Sequence, residues 1–410
     1  MKILHISAAD IYGGAAVAAY QLHSNFIKSG IDSRMLVNYK YSYDDKVLCL
    51  FSNRLTKLIR RILPHIESSI KILFGESIEL DYLKIGWITK SIKKHTNWAD
   101  IIIVHYISGS FLTLNQIVKI NKPCIWVMHD MFSMTGGCHY SDGCINYYVG
   151  CGNCKLVNKQ SESDDSKMNV LLKRDIYSKL NSVFVSPSQW LFKESKNSYL
   201  LKEQLIAHIP NSINEMVFYK KNKDIIREDL VLCTNKTIIL FSANGNIDDK
   251  RKGIDLLLAA LTNLTESDKE EYFLLIIGSE SGLNLSLYGI EYKVIERISE
   301  AEMMVNLYNA ADILVIPSRE DNLPNTVLES LFCGTPVLAF NVGGMPDMIT
   351  HKVNGYLATP FSIIDFTNGL KYLTGRTTNY DSYYEIREKF SNKNQVENFR
   401  KIFNSLIGNK

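Results

Sequence analysis

Two carboxylates, Asp321 and Glu329, stand seven intervening residues apart in 317-PSREDNLPNTVLESLFCGTPVLAF-340. A strand pattern ends at Pro317-Ser318 and a loop of charged and amide side chains follows. Pro324 stands where a helix can open, because its missing N–H costs nothing there. Ligands of open α/β sheets bind at the carboxyl ends of strands. Asp321 and the backbone amides of Asn325, Thr326 and Val327 should therefore line such an edge. A helix N-terminus there offers unpaired N–H donors and positive potential, an anion site. Glu329, a turn inside, is placed to accept hydrogen bonds from a diol such as a ribose. In 248-DDKRKG-253, Arg251 and Lys252 precede a helix opening at Gly253–Ile254, two cations suited to a diphosphate. Each motif alone also reads as an ordinary loop with solvated charges.

Four thiols crowd 138-CHYSDGCINYYVGCGNC-154: Cys138, Cys144, Cys151 and Cys154, spaced C-x5-C-x6-C-x2-C. In a reducing compartment such a set suits structural zinc, with His139 able to replace one ligand. Disulfides, redox-variable thiols and free buried thiols are the alternatives. A catalytic zinc is not expected, because four Cys ligands leave no open position. Cys49, Cys124, Cys233 and Cys333 are isolated and read as small core residues.

Two βα series must position these groups. The first opens with a strand at Lys2–Ser7, a Gly13-Gly14 loop, and an Ala-rich helix from Ala15 to Ser29 that Gly30 ends. A second strand follows at 33–38, and near-continuous apolar runs at Ile101–Tyr106, Cys124–Met128, Val183–Val185 and Leu205–Ile209 predict strands covered on both faces, as in a parallel sheet. The polar stretch 211–236 is the candidate linker. The second series has strands at 237–243, Phe273–Ile277, Asp312–Ile316 and Pro336–Phe340. Its helices open near Ile254, Ser299, Pro324 and Met345, with a Ser299/Glu302 capping box. A polar amphipathic helix, Tyr383–Leu406, closes the chain.

The 410 residues suit two domains, and 46% hydrophobic with 22% charged residues excludes a disordered chain. A net charge of +3 gives no reason to expect nucleic acid as a partner. No run reaches the length of a spanning helix, and the N-terminus lacks the pattern of a secretory signal. A cytoplasmic protein is expected, at the inner face of the membrane if the insert 54–95 binds there. In Arg54–Phe74, leucines and isoleucines recur at helical spacing between Arg and Lys, and Pro64 should kink the helix. Peripheral membrane contact through 54–74 and packing on the domain with a solvated basic face both remain open.

Taken together, the motifs resemble the signature of retaining GT-B glycosyltransferases of family 4, in the subgroup with an NLPNTVLE core. Gly13-Gly14 is similar to the family's glycine pair, 248-DDKRKG-253 to its basic motif, and 342-VGGMPD-347 to its Gly-Gly-x-Pro-acidic loop. His129-Asp130 matches its N-terminal-domain histidine, and Asp321 stands where the family usually has Glu. The resemblance implies two Rossmann-like doubly wound domains facing across a cleft: 1–210 for the acceptor, 211–385 for the nucleotide sugar, and 386–410 as a helix crossing back. It implies transfer of a hexose-type sugar, with retention, from a UDP- or GDP-sugar to a glycan or lipid-linked acceptor in bacterial surface polysaccharide synthesis. By that analogy Glu329 holds the ribose, Asp321 the donor sugar and His129 a sugar hydroxyl. Gly14, Arg251, Lys252, Asn325 and Thr326 would bind the diphosphate, with Gly343 and Gly344 in the donor loop. No covalent nucleophile and no catalytic metal are expected. A sugar-nucleotide epimerase on the same fold, or a non-catalytic sugar-nucleotide-binding protein, are the alternatives.

Overall fold

The computed structural model describes residues 1–50, 62, 90–107, 111–232, 235–242, 249–278, 288–295, 298, 300–376 and 380–408. The amphipathic segment 54–74 therefore lies outside the described residues apart from Ile62, as do Cys233 and Ser299 of the expected capping box. The chain forms two compact units, Met1–Ser212 with Gln395–Lys410, and Ile213–Asn394. Among the described residues no helix is long and apolar enough to cross a membrane.

The first unit is a seven-stranded parallel sheet. Its strands are β1 (Lys2–Ala9), β2 (Asp32–Tyr39), β3 (Val47–Cys49), β4 (Ile101–Val104), β5 (Cys124–Val127), β6 (Ser182–Ser186) and β7 (Leu205–His208). They lie in the order β3-β2-β1-β4-β5-β6-β7. Alternation supplies both covered faces. Leu4, Ile6, Ile102 and Val104 join one core, while Ile3, Ile101 and Ile103 join the other. The helix Gly14–Lys28 ends as its sequence suggests. Gly30 has φ 76°, its N–H donates to Ile27 O at 3.0 Å, and Ile31 N donates to Phe26 O at 2.9 Å.

The second unit is a six-stranded parallel sheet: β8 (Thr237–Ser242), β9 (Tyr272–Ile277), β10 (Glu291–Ile295), β11 (Ile313–Ile316), β12 (Val337–Phe340) and β13 (Gly355–Ala358). The order β10-β9-β8-β11-β12-β13 is the doubly wound order that reverses between its first and fourth strands. Ile238 and Leu240 face one core, Ile239 and Phe241 the other.

Two expectations need correction. The polar stretch 211–236 is not a bare linker. Asn222 caps a helix, Lys223–Asp229, through hydrogen bonds to its first amides. That helix is clamped by Lys223 Nζ and Arg227 Nη2, each 2.6 Å from a carboxylate oxygen of Asp312. The closing helix is two helices, Tyr380–Lys389 and Asn392–Ile407. The break falls where Phe390 O accepts from Ile213 N and Ser391 Oγ accepts from Asn394 N. The last helix buries Val396, Phe399, Ile402, Phe403 and Leu406 in the first unit. Phe26 meets Phe399 and Phe403 edge-on at 5.6 and 5.4 Å. Each such buried ring contributes roughly 1.5–3 kcal/mol.

Candidate active site

The second unit gathers its charged residues where β8 and β11 end, side by side at the reversal of strand order. Asp249 Oδ1 accepts from Arg251 N at 3.0 Å and starts the turn Lys250–Lys252. Gly253 closes the turn at φ 72°, where a Cβ would lie 2.0 Å from Pro317 O. That close approach presses the basic turn against the end of β11. Arg319 fastens the same junction, donating to Lys250 O at 2.6 Å and to both oxygens of Asp255.

The result is an ion cluster on a buried carboxylate. Lys252 Nζ lies 2.8 Å and Arg251 Nη1 3.2 Å from the same oxygen, Asp321 Oδ2. Arg251 Nη1 also donates to Glu320 O at 3.1 Å. Burial by itself would raise the Asp321 pKa. Lys252 and then Arg251 outweigh it and hold the carboxyl below the usual range. The donor-loop glycines join the cluster through backbone. Gly344 N donates to Asp321 O at 3.0 Å. Gly343 has φ 55°, and a Cβ there would lie 2.0 Å from that oxygen. Only glycine allows this approach.

Asn325 and Thr326 begin the helix Asn325–Phe332, which has no side-chain cap. Glu329, on this helix, is tied elsewhere: Tyr308 Oη donates to its Oε2 at 2.8 Å. The residue is half-buried. Burial pushes the pKa up to about 7, and the tyrosine hydrogen bond only partly opposes that. Tyr308 is a site residue that the sequence did not announce.

The first unit carries the other candidates. Gly13 has φ 91°, and Gly14 starts its helix with open space where either Cβ would stand. His129 follows β5, with His105 Nδ1 3.0 Å from its Nε2. Burial lowers its pKa to about 4, against the opposing charge of Asp130. Asp130 accepts from Phe132 N at 2.9 Å and pairs with His139 Nδ1 at 2.8 Å, anchoring the turn after β5. His105, Tyr106, Trp126, His129, Asp130 and Phe132 are among the residues lining a pocket there. His105 was missed within an apolar run whose only polar member it is before Tyr106; that break was the available signal.

Of the four clustered thiols, Cys138 and Cys154 hydrogen-bond to each other, which pulls Cys154 down to about 6. Both pack on Val157. Cys151 Sγ accepts from Gly136 N at 3.2 Å, and Cys144 is exposed. Among the described residues no group of three or more His, Cys, Asp or Glu side chains is disposed around one point to hold a metal.

Residues 222–395 match the family model Glycosyl transferases group 1. The matched segment contains the whole ion cluster. A D-inositol 3-phosphate glycosyltransferase from Segniliparus rotundus is 31% identical over 170 residues, covering 39% of this chain but only 37% of that relative. The "Putative colanic acid biosynthesis glycosyl transferase WcaC" of Escherichia coli K12 is 23% identical over 369 residues, 83% of each chain. In structure, Anabaena Alr3699/HepE in complex with UDP-glucose superimposes with a TM-score of 0.66 at 14% identity, over 99% of this chain and 100% of that one. The two parallel Rossmann-like sheets are those of the GT-B fold.

Proposed function

We propose that the chain is a retaining glycosyltransferase that moves a hexose-type sugar from a UDP- or GDP-sugar to a glycan or lipid-linked acceptor in bacterial surface polysaccharide synthesis. The observation that carries this reading is the convergence of Arg251, Lys252 and Asp321 at the β8/β11 reversal. The match of 222–395 to group 1 glycosyl transferases supports it, as does the 83% coverage of WcaC. UDP-glucose in the HepE structure supports a nucleotide-sugar donor.

Cleaving the glycosyl–phosphate bond leaves negative charge on the diphosphate. Fixed cations aimed at that charge lower the barrier without reorganising. An ammonium has three donors, and Asp321 occupies one of those of Lys252. Asp321 thus holds both cations in place and leaves donors of Lys252 for phosphate oxygens. The first-turn amides of Asn325 and Thr326 add positive potential, and Gly14 lets backbone approach a ligand. Glu329 takes the ribose hydroxyls, Asp321 and the Gly343–Gly344 loop the donor sugar, and His129 a sugar hydroxyl. No metal takes part in transfer on this reading.

The test is ligand-observed NMR against UDP-, GDP-, dTDP- and ADP-sugars, followed by an assay of nucleoside diphosphate release. Binding of one nucleotide class, lost in D321A/E329A, with acceptor-dependent release, supports the proposal. Epimerised sugar nucleotide without acceptor identifies an epimerase. Binding without turnover against a broad acceptor panel identifies a sugar-nucleotide-binding protein.

A structural zinc on Cys138, Cys144, Cys151 and Cys154 is a separate proposal. The hydrogen-bonded Cys138–Cys154 pair supplies two of the soft ligands, and binding requires Cys144 and Cys151 to close on that pair. Elemental analysis should find one zinc per chain, lost in C138S/C154S. Chain purified without chelator that holds no zinc overturns it.

A further inference from the structure

Three imidazoles stand in a row in the first unit. His5 lies within β1, His105 directly follows β4, and His129 comes shortly after β5. Because β4 pairs with both β1 and β5, the sheet sets them side by side. His5 Nδ1 is 2.9 Å from His105 Nε2, and His105 Nδ1 is 3.0 Å from His129 Nε2. Successive rings stack at 5.2 and 5.3 Å. At the other end of the row, His5 Nε2 is buried with no hydrogen-bond partner, and the His5 ring contacts those of His23 and Phe26 at 5.5 and 5.4 Å.

A neutral imidazole carries one donor and one acceptor. Burial holds the pKa of His5 and of His105 well below the usual value and that of His129 at about 4, so all three are neutral near pH 7. Their protons must then be ordered head to tail, in one of two directions. If His129 Nε2–H donates to His105 and His105 Nε2–H to His5, the chain ends on a buried His5 N–H with no acceptor. If His5 Nδ1–H donates to His105 and His105 Nδ1–H to His129, it ends on a bare lone pair at His5 Nε2. Buried N–H groups without acceptors are rarer than under-used acceptors, so the second order is favoured.

We propose that His105, backed by His5, is a positioning residue that fixes His129 as its Nδ1–H tautomer, with Nε2 committed as an acceptor inside the chain. Which nitrogen of an imidazole carries the proton is set by the hydrogen bond that the other makes. Free neutral imidazoles favour the proton on Nε2, so the chain reverses the intrinsic preference. The functional meaning rests on the glycosyltransferase reading: with its Nε2 committed inside the chain, His129 does not serve as a base through that atom toward a sugar hydroxyl.

The test needs no substrate. Full-length protein labelled with 15N-histidine is examined by two-bond imidazole 15N–1H correlation at pH 7, with His129 assigned by its loss in H129Q. The wild type should show a protonated Nδ1 and a bare Nε2. H105L, which removes the donor, should move the His129 proton to Nε2. H105N, whose amide N–H can replace the imidazole Nδ1–H, should restore the Nδ1–H form. A wild-type His129 protonated at Nε2 overturns the proposal, whether or not H105L folds. So does a tautomer that is unchanged in folded H105L. In the transfer assay, H105L should lower kcat/KM by no more than about fivefold, the cost of losing one hydrogen bond to a neutral hydroxyl, and H105N should recover most of it. If the tautomers behave as stated but no sugar nucleotide binds, the glycosyltransferase reading fails and the tautomer assignment stands.

Discussion

The two sheets reverse their strand order in the same way, between β1 and β4 in the first unit and between β8 and β11 in the second. They furnish that edge with opposite chemistry. The second unit places two cations on one buried carboxylate. The first places a run of neutral imidazoles. Unpaired buried charge is expensive, so the buried Asp321 carboxylate is held by the two cations. Neutral rings hold no such energy. They offer directional hydrogen bonds, which suit telling one hydroxyl from another. On the proposed glycosyltransferase reading, charge stabilisation falls to one unit and geometric readout to the other.

The largest expected effect breaks the charged half. K252A should lower the transfer rate by about 10²–10³-fold, the usual loss of one preorganised donor to a developing anion. Steady-state release of nucleoside diphosphate measures it. Added salt should weaken donor binding in the wild type and do so less in K252A, because one phosphate contact is gone. A K252A enzyme within threefold of wild type, by contrast (about 0.65 kcal/mol), would remove the charge assignment.

Glu329 comes next, on the charged side but without a cation. Its pKa of about 7 lies above its unfolded value because burial favours the neutral acid. The carboxylate is the form that accepts two ribose hydroxyls, so donor affinity should rise with pH through 7. Below that point it should weaken by about tenfold per pH unit, measured by calorimetry from pH 6 to 8. E329Q should flatten the profile. Stability has the opposite sign. The folded state binds the extra proton between the unfolded carboxyl pKa and about 7, so Glu329's contribution is full below that window. It is lost as pH rises through the window, and E329Q should remove that slope from chemical unfolding curves.

The legibility of the two halves differed for physical reasons. Strands such as Ile101–Val104 and Val337–Phe340 showed as apolar runs because both faces are covered. β3, β10 and β13, all sheet-edge strands, did not: β3 and β13 are apolar runs of only three and four residues, and in β10 the exposed Glu291 and Lys293 interrupt the pattern. The ion cluster was legible in part. Arg251, Lys252 and Asp321 stand in motifs with fixed spacing, yet the pairing of both cations with one oxygen depends on Gly253 and Gly343, whose close approaches only coordinates reveal. Tyr308 is distant in sequence from Glu329 and looks like a core residue, which it also is. The histidine row was invisible for the same reason. His5, His105 and His129 become neighbours only through strand order.

The smallest expected effect sharpens the neutral half. H129N removes one hydrogen bond to a neutral hydroxyl and should cost about 1 kcal/mol, or roughly fivefold in kcat/KM. Its diagnostic feature is what stays fixed. His129 titrates at about 4, so it is already neutral across the range in which Glu329 changes charge. The pH profile of H129N should therefore run parallel to that of the wild type between pH 6 and 8, while E329Q changes its shape. A wild-type inflection that vanishes in H129N would mean that the imidazole carries a proton on and off during turnover. The first unit would then share the charge work assigned to the second.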